Sequence, residues 1–306
     1  MSVLSKPYFH DEAKAFEYLE SILWADGVVC PHCGVVDGRV YSLEGKSTRV
    51  GLKKCGECRK QFTVKVGTVF EHARMPLHKM LQAVYLMTSS KKGISAHQLH
   101  RVLEVTYKTA WFLAHRIREA MRSGDLLPFG GEGGVVEVDE TYIGKIKGAK
   151  VQRGQHHKMA VLSLVHRESG QARSFVVDDA SRATLIPIVM ANVQRETYIM
   201  TDENAVYMRQ FKDYLGHGTV CHSAGEYGRG RVHNNTVEGY YSIFKRGMRG
   251  VYQFCSEKHL HRYLAEFDFR YSNRVALGVN DTERTDNLLR GVVGKRLTYA
   301  QSSARA

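Results

Sequence analysis

Two cysteine pairs set the strictest limit on how this 306-residue chain can fold. Cys30-Pro-His-Cys33 and Cys55-Gly-Glu-Cys58 have 21 residues between them. Each pair can place two thiolates on one tetrahedral metal, and the second pair completes the four. Zinc suits four soft thiolates with no open position, which makes Cys30, Cys33, Cys55 and Cys58 a structural Zn2+ site rather than a catalytic one. Two disulfides, a redox pair or an iron–sulfur site are the other readings, and a reducing compartment disfavours the first. His32 lies inside the first pair, outside a ligand set that four cysteines already fill. Phe62 reads as the core residue of this small module, and Cys221 and Cys255 as buried or incidental thiols.

Charge points to the partner. The chain has 44 Lys and Arg against 31 Asp and Glu, a net +13. A basic surface attracts polyanions, with DNA or RNA the commonest. Lys53, Lys54, Arg59, Lys60 and Lys65 crowd the second cysteine pair, where they favour phosphate contact. The 43% hydrophobic and 10% aromatic content excludes disorder of the whole chain. No apolar run approaches the ~20 residues of a bilayer span, and the N-terminal residues lack the apolar segment of an export signal. A soluble, cytoplasmic protein without a membrane partner is expected.

The chain divides into modules. Residues 1–70 are the zinc module, with a helix over Glu12 to Ile22 and a hairpin between the cysteine pairs. Residues 71–128 read as three helices, with Pro76 at the start of the first, Ser95 capping the second and Thr106 the third. The last two, across a very short turn at Glu104-Val105, resemble a helix-turn-helix. Lys108, Arg116 and Arg118 on the third helix are the candidate DNA contacts. Pro128-Phe-Gly-Gly-Glu-Gly-Gly134 reads as a linker. Residues 135–306 then form a mixed α/β domain. Its strands are Val135 to Asp139, Met159 to His166, Arg173 to Val177, Thr197 to Thr201 and Thr219 to His222. Its helices run from Ser181 to Asn192, about Ala205 to Tyr214, about Thr236 to Gly247 and about Glu257 to Tyr271. Asp178 and Asp179 read as turn or cap residues.

Three acids on this domain can converge. Asp139 ends the first strand and Asp202 the fourth, so both can stand on one rim of the sheet. Carboxylates within ~4–6 Å raise each other's pKa, and a divalent cation removes that penalty. Hard oxygen ligands suit Mg2+, which takes phosphate oxygens as its remaining ligands. Glu238 has 35 residues between it and Asp202 and starts a helix. Lys245, seven residues on, projects from the same helix face, with Arg246 and Arg249 close behind.

These blocks carry a resemblance. Cys30 to Cys58, Gln98-Leu99 to Thr109-Ala110-Trp111, Val136-Glu-Val-Asp-Glu-Thr-Tyr-Ile-Gly144, Thr201-Asp-Glu203, His233-Asn-Asn-Thr-Val-Glu238 and Phe244-Lys-Arg-Gly247 stand in order along nearly the whole chain. Together they resemble bacterial insertion-sequence transposases of the DDE type, in the zinc-ribbon group related to the Merlin elements. The resemblance implies an α/β, RNase H-like mixed-sheet catalytic domain preceded by a zinc ribbon and a small helix-turn-helix-like module. It implies catalysis by Asp139, Asp202 and Glu238, with Lys245 as the accompanying basic residue. Asn235 competes with Glu238 as third ligand. Two Mg2+ or Mn2+ ions are expected, Asp139 bridging them. The expected partners are double-stranded DNA, as terminal inverted repeats and target, and further copies of the chain assembled on it. The expected place is the bacterial nucleoid.

Overall fold

The computed structural model describes residues 2–36, 38–122, 124, 127–151 and 153–299. The chain forms two compact units. The first comprises the described parts of Met1–Ser90, Ile94–Met121 and Asn280–Ala306, and the second those of Lys91–Gly93 and Arg122–Val279.

In the first unit, α1 (Glu12–Leu23) starts at Asp11, whose carboxylate accepts from Lys14 N at 2.8 Å. Three short strands, β1 (Val40–Ser42), β2 (Lys53–Cys55) and β3 (Gln61–Phe62), pair antiparallel in that order. They set Cys30, Cys55 and Phe62 in a small core with Trp24 and Val35. Three helices follow: α2 (Leu77–Ser89), α3 (Ala96–Leu103) and α4 (Tyr107–Met121). Ser95 Oγ accepts from Gln98 N at 3.1 Å and Thr106 Oγ1 from Thr109 N at 3.2 Å, as the cap pattern predicts. Glu104 ends α3 in the left-handed conformation at φ 52°, which makes the tight turn.

The expected catalytic domain of residues 135–306 does not extend that far. Its last helix, α8 (Asp281–Arg290), packs in the first unit. Thr285 Oγ1 meets Thr88 Oγ1 at 2.8 Å, Arg284 donates to Thr88 O at 3.1 Å, and Tyr18 donates to Asp286. Leu288 and Leu289 are buried there.

The second unit is built on a five-stranded sheet of β4 (Val135–Ile143), β5 (Met159–His166), β6 (Ala172–Val177), β7 (Tyr198–Asp202) and β8 (Gly216–Val220). The order is β6-β5-β4-β7-β8, with β4, β5 and β6 antiparallel and β4, β7 and β8 parallel. This is the RNase H-like mixed sheet that the resemblance implies. Each face is covered. On one, Val136, Val138, Leu162 and Ile199 pack with α5 (Arg182–Asn192) and with Tyr207, Phe211 and Tyr214. On the other, Ile143, Val161 and Val165 pack with α6 (Asn235–Gly247) and α7 (Glu257–Ser272). Strand alternation therefore turns Glu137, Asp139 and Thr141 toward α6.

Three local expectations are corrected. β4 continues past Asp139 to Ile143 because β5 pairs with it all the way, Asp139 facing Ser163. The helix expected over Ala205 to Tyr214 is a run of turns. Asn204 N and Val206 N bond to the side chains of Asp202 and Asn204, and Arg209 sits at φ 61°. Such local side-chain bonds compete with helix formation. The glycine-rich segment is a fitted strap, not a loose linker. Phe129 is buried and bridges Val193, Gly131 N donates to Thr197 Oγ1 at 2.7 Å, and Gly133 N to Glu196 O at 3.0 Å. Gly130 has φ 96°, and a Cβ there would lie 2.3 Å from Thr197 Oγ1. Asp179, as expected, caps a turn: it accepts from Ser181 N and Thr184 Oγ1, both at 2.8 Å.

One buried acid ties the α6–α7 layer to the sheet. Asp268 accepts from Tyr240 Oη at 2.6 Å, Ser174 Oγ at 2.7 Å and Ser174 N at 2.8 Å. Burial raises its pKa to about 6, against these three donors. An unfolded aspartate titrates near 4. Between the two values the folded state holds the extra proton, so stability falls as pH rises from about 4 to about 6 and is flat above. Urea unfolding of wild type minus Asp268→Asn should fall by about 3 kcal/mol across that window, from two pH units at 1.36 kcal/mol each. A flat difference would contradict it.

Candidate active site

The metal-site arithmetic closes at the cysteines. Sγ of Cys30 and Cys58 are 3.7 Å apart, and those of Cys33 and Cys55 3.8 Å. All four lie within 4.8 Å of one another. A tetrahedron with Zn–S of about 2.3 Å has edges of about 3.8 Å, so the four fit zinc without rearrangement. Burial raises the Cys30 thiol, but hydrogen bonds from the His32 and Cys33 backbone, with those from the Cys33 and Cys58 thiols, together outweigh it and bring the pKa to about 7. His32 turns away, its Nε2 being 3.3 Å from Gln61 O. Since such a site supplies folding free energy, Cys58→Ser is expected to take bound zinc, read by atomic emission, from about one per chain toward zero. Hydrogen exchange over residues 24–66 should rise with it.

Asp139 and Asp202 stand on adjacent strands of the second unit, and Glu238 on the helix that covers one face of them. β4 and β7 pair in register from Val135↔Tyr198 to Glu137↔Met200. Continuing that register by two residues sets Asp139 level with Asp202, on the face that α6 covers. Glu238 stands in the first turn of α6. Asp139 has its pKa raised well above the usual range by burial first, then by the charges of Glu140, Asp202 and Glu238. The Glu140 N–H donates to its Oδ1 at 2.8 Å. Burial also raises Asp202, against the Asn204 N–H and the charge of His222. Glu238 is 46% exposed, and its Oε1 is 3.2 Å from His222 Nε2. Lys245 lies over the Tyr241 ring at 5.7 Å; burial lowers its pKa while the charge of Asp139 raises it.

The acids thus share one field without closing to single-ion distance. Among the described residues, the cysteine set is the only group of three or more His, Cys, Asp or Glu ligand atoms within 4.8 Å of one another. Glu238 reaches instead to His222. Asn235, the exposed first residue of α6, lies three positions before Glu238 on adjoining helix faces.

Glu137, two residues before Asp139, is fully buried and was missed by sequence reasoning. Its carboxylate accepts from Thr236 N at 2.8 Å, Val237 N at 2.9 Å, Thr236 Oγ1 at 2.8 Å and Arg167 Nε at 2.5 Å. It therefore caps α6 from the neighbouring strand, in the same first turn that carries Glu238. Arg167 extends the network to His233 O at 2.6 Å and His233 Nδ1 at 2.9 Å. Tyr241 Oη donates to Asp139 O at 2.6 Å, a second link between α6 and the strand. On the opposite face Glu140 accepts from Tyr207 Oη at 2.5 Å and Asn204 Nδ2 at 2.6 Å.

Of the expected DNA contacts, Lys108 is exposed, its Nζ 4.6 Å from the Tyr299 ring centre. Arg116 is half-buried over Phe112. Arg118 is corrected: it is 2% exposed and faces the interior of the first unit with Ala114 and Met121 at its own helical spacing. Arg246 and Arg249 are exposed beyond Lys245. No helix among the described residues is long and apolar enough to cross a membrane.

Comparison with known proteins gives four similarities. Residues 132–272 match the ISXO2-like transposase domain, and residues 10–61 the transposase zinc-ribbon domain. The "Uncharacterized protein in transposable element ISH50" of Halobacterium salinarum is 30% identical over 291 residues, 86% of this chain and 91% of that protein. A chain in the cryo-EM structure of a simian T-cell lymphotropic virus intasome in complex with PP2A regulatory subunit B56 gamma matches at 16% identity and TM-score 0.31. That match covers 62% of this chain and 65%, under two thirds, of the other.

Proposed function

The chain belongs to the ISXO2-like transposase family, and from that premise we propose that it is the transposase of an insertion sequence, cutting and joining DNA at the element's terminal inverted repeats. The observation that supports this reading is geometric: Asp139 and Asp202 fall level on adjacent parallel strands, Glu238 stands in the first turn of the helix that covers that face, and the charges of Asp202 and Glu238 both act on buried Asp139. Acids that repel one another in a partly buried corner are stabilised by a divalent cation. Asp139, Asp202 and Glu238 are the residues that would hold Mg2+ or Mn2+, with Asn235 the alternative to Glu238. Two such ions supply activation of the attacking oxygen and stabilisation of the leaving one.

The chain's own residues do the rest. Asp139 and Asp202, fixed on adjacent strands, would hold the cations that the reacting phosphate meets. Lys245, on the Glu238 face of α6, meets a phosphate oxygen. Attack of water on one phosphodiester frees a 3′-OH at the element's end. Attack of that 3′-OH on target DNA exchanges one phosphodiester for another, so no ATP is consumed. Joining two ends calls for at least two copies of the chain on the DNA, acting at the nucleoid.

The test is an oligonucleotide carrying the inverted repeat that flanks the gene, incubated with Mg2+ or Mn2+ and target plasmid. Cutting followed by joining supports the reading. Cutting alone leaves a nuclease, and binding alone a DNA-binding regulator. End recognition is assigned to the first unit. Lys108→Gln and Arg116→Gln are each expected to reduce the slope of log affinity against log salt by about 1. Arg118→Gln should leave that slope unchanged, because its charge is buried. Equal slopes for all three would exclude α4 as the DNA contact.

A further inference from the structure

Beyond Gly247 the backbone makes one wider, π-helical turn, Met248–Tyr252, closed by Gln253 N donating to Met248 O at 2.8 Å. Turns of this kind occur frequently at functional sites. Gln253 follows at φ 60°, ψ −45°, and Phe254 N donates to Tyr252 O at 2.6 Å. This is a γ-turn of positive φ, the rare and strained form. Its flanks hold it there. Tyr252 packs edge-on against Tyr263 at 4.8 Å and donates to Glu266 at 2.5 Å, and a Cβ on Gly93 would lie 1.9 Å from its hydroxyl. Cys255, on the other side, is buried. Between these anchors Phe254 is 78% exposed. The fold maintains strain at a point where it buries nothing, and such strain is characteristic of binding sites.

The surroundings name the ligand. A hollow of about 260 Å³ is lined by Tyr142, Lys158, Met248, Arg249, Gln253 and Cys255. The charges of Lys158 and Arg249 both act on Lys245, and that of Asp139 acts on it too. The hollow also borders the reacting acid along the chain: its Tyr142 and Ile143 end the strand that carries Asp139, and Arg249 follows one turn after Lys245. Phe254 stands in the chain between Gln253 and Cys255, which line that hollow together with the two cations Lys158 and Arg249; an exposed ring near cations is a pairing that single-stranded nucleic acid uses, with rings stacked on bases and cations along the backbone.

We propose that the Gln253–Phe254 turn holds one unpaired nucleotide next to the reacting phosphate. The base stacks on Phe254 and meets the Gln253 amide at its edge. Its phosphate is met by Lys158 and Arg249. The inference rests on Asp139 marking the reaction site and adds that the enzyme works on DNA locally opened there.

The test reads binding without cutting. The full chain carrying Asp139→Asn is titrated with a fluorescent mixed-sequence duplex and with the same duplex bearing an unpaired thymidine flap. Phe254→Ala is expected to weaken flap binding roughly tenfold, within the five- to hundredfold that base stacking supplies, and to leave duplex binding unchanged. Phe254→Trp should restore it. Lys158→Gln and Arg249→Gln should each lower the salt slope for the flap by about 0.7. Equal weakening of both probes, or of neither, overturns the proposal. So does a Phe254→Ala change in oligomeric state on sedimentation with flap binding unaltered, which would make this ring a contact with a second copy. A wild-type chain that binds the flap through Phe254 but never cuts would refute the transposase reading and leave the nucleotide site standing.

Discussion

Asp139→Asn is expected to abolish DNA cutting and, in the absence of divalent cations, to raise the melting temperature. The two effects have one cause. The Asp139 carboxyl is buried and faces the charges of Glu140, Asp202 and Glu238, which raise its pKa well above the ordinary carboxylate range. In the unfolded chain it titrates near 4. From there up to its folded value, the folded state binds more protons than the unfolded one. Stability therefore declines with rising pH through that window, and the penalty remains in full above it. Asparagine removes the charge and keeps an oxygen for the Glu140 N–H. Each kcal/mol recovered is worth about 2–4 °C in a domain of this size. Mg2+ or Mn2+ should raise the melting temperature of wild type and leave that of the variant nearly unchanged. Loss of a cation-holding acid removes several kcal/mol of transition-state stabilisation, so the cutting rate should fall by about a thousandfold or more. A variant that cuts at the wild-type rate, or that melts lower without cations, would remove Asp139 from the site.

What could be read from the residues was local. The cysteine spacing is a statement about two tight turns, and the structure closes them at zinc-compatible distances. The seven residues from Glu238 to Lys245 are two turns of one helix, and the charge of Asp139 reaches Lys245 from the sheet. The misreadings needed partners distant in sequence. Arg118 carries the charge of a surface residue, but its place between Ala114 and Met121 puts it inside, and that spacing was visible. The glycines of residues 130–134 signal backbone freedom equally well for a loose linker and for a strap fitted against Thr197 and Gln194. α8 follows Gly278 and an Asn280 cap, which mark a helix start without saying which unit it joins. Tyr207, Phe211 and Tyr214 have helical spacing and are buried, yet side-chain bonds from Asp202 and Asn204 divert the backbone. Glu137 reads in the sequence as one more acid beside Asp139. Only the folded chain shows that α6 begins on it.

That placement makes Glu137 the positioning residue of the site, with an effect as large as that of any acid near the reaction. Its fully buried carboxylate receives two helix N–H groups, one hydroxyl and the Arg167 guanidinium. Glu137→Ala leaves two helix N–H groups and a hydroxyl without their acceptor and takes the counter-charge from Arg167, which keeps its bonds to the Arg231 and His233 carbonyls; the change is expected to cost about 3 kcal/mol. Urea unfolding should register it directly. Glu137→Gln retains one accepting oxygen and the side-chain shape, so it should cost less and keep the chain folded at moderate temperature. Destabilisation alone would lower activity only through the folded fraction. Positioning predicts more. With the α6 start loosened from β4, the turn that carries Glu238 is held less firmly against the strand of Asp139, and folded Glu137→Gln should need severalfold more Mn2+ for half-maximal cutting while binding duplex DNA normally. An unchanged Mn2+ requirement at full folding would reduce Glu137 to a structural cap and leave the approach of Glu238 to the packing of Val237, Tyr240 and Tyr241.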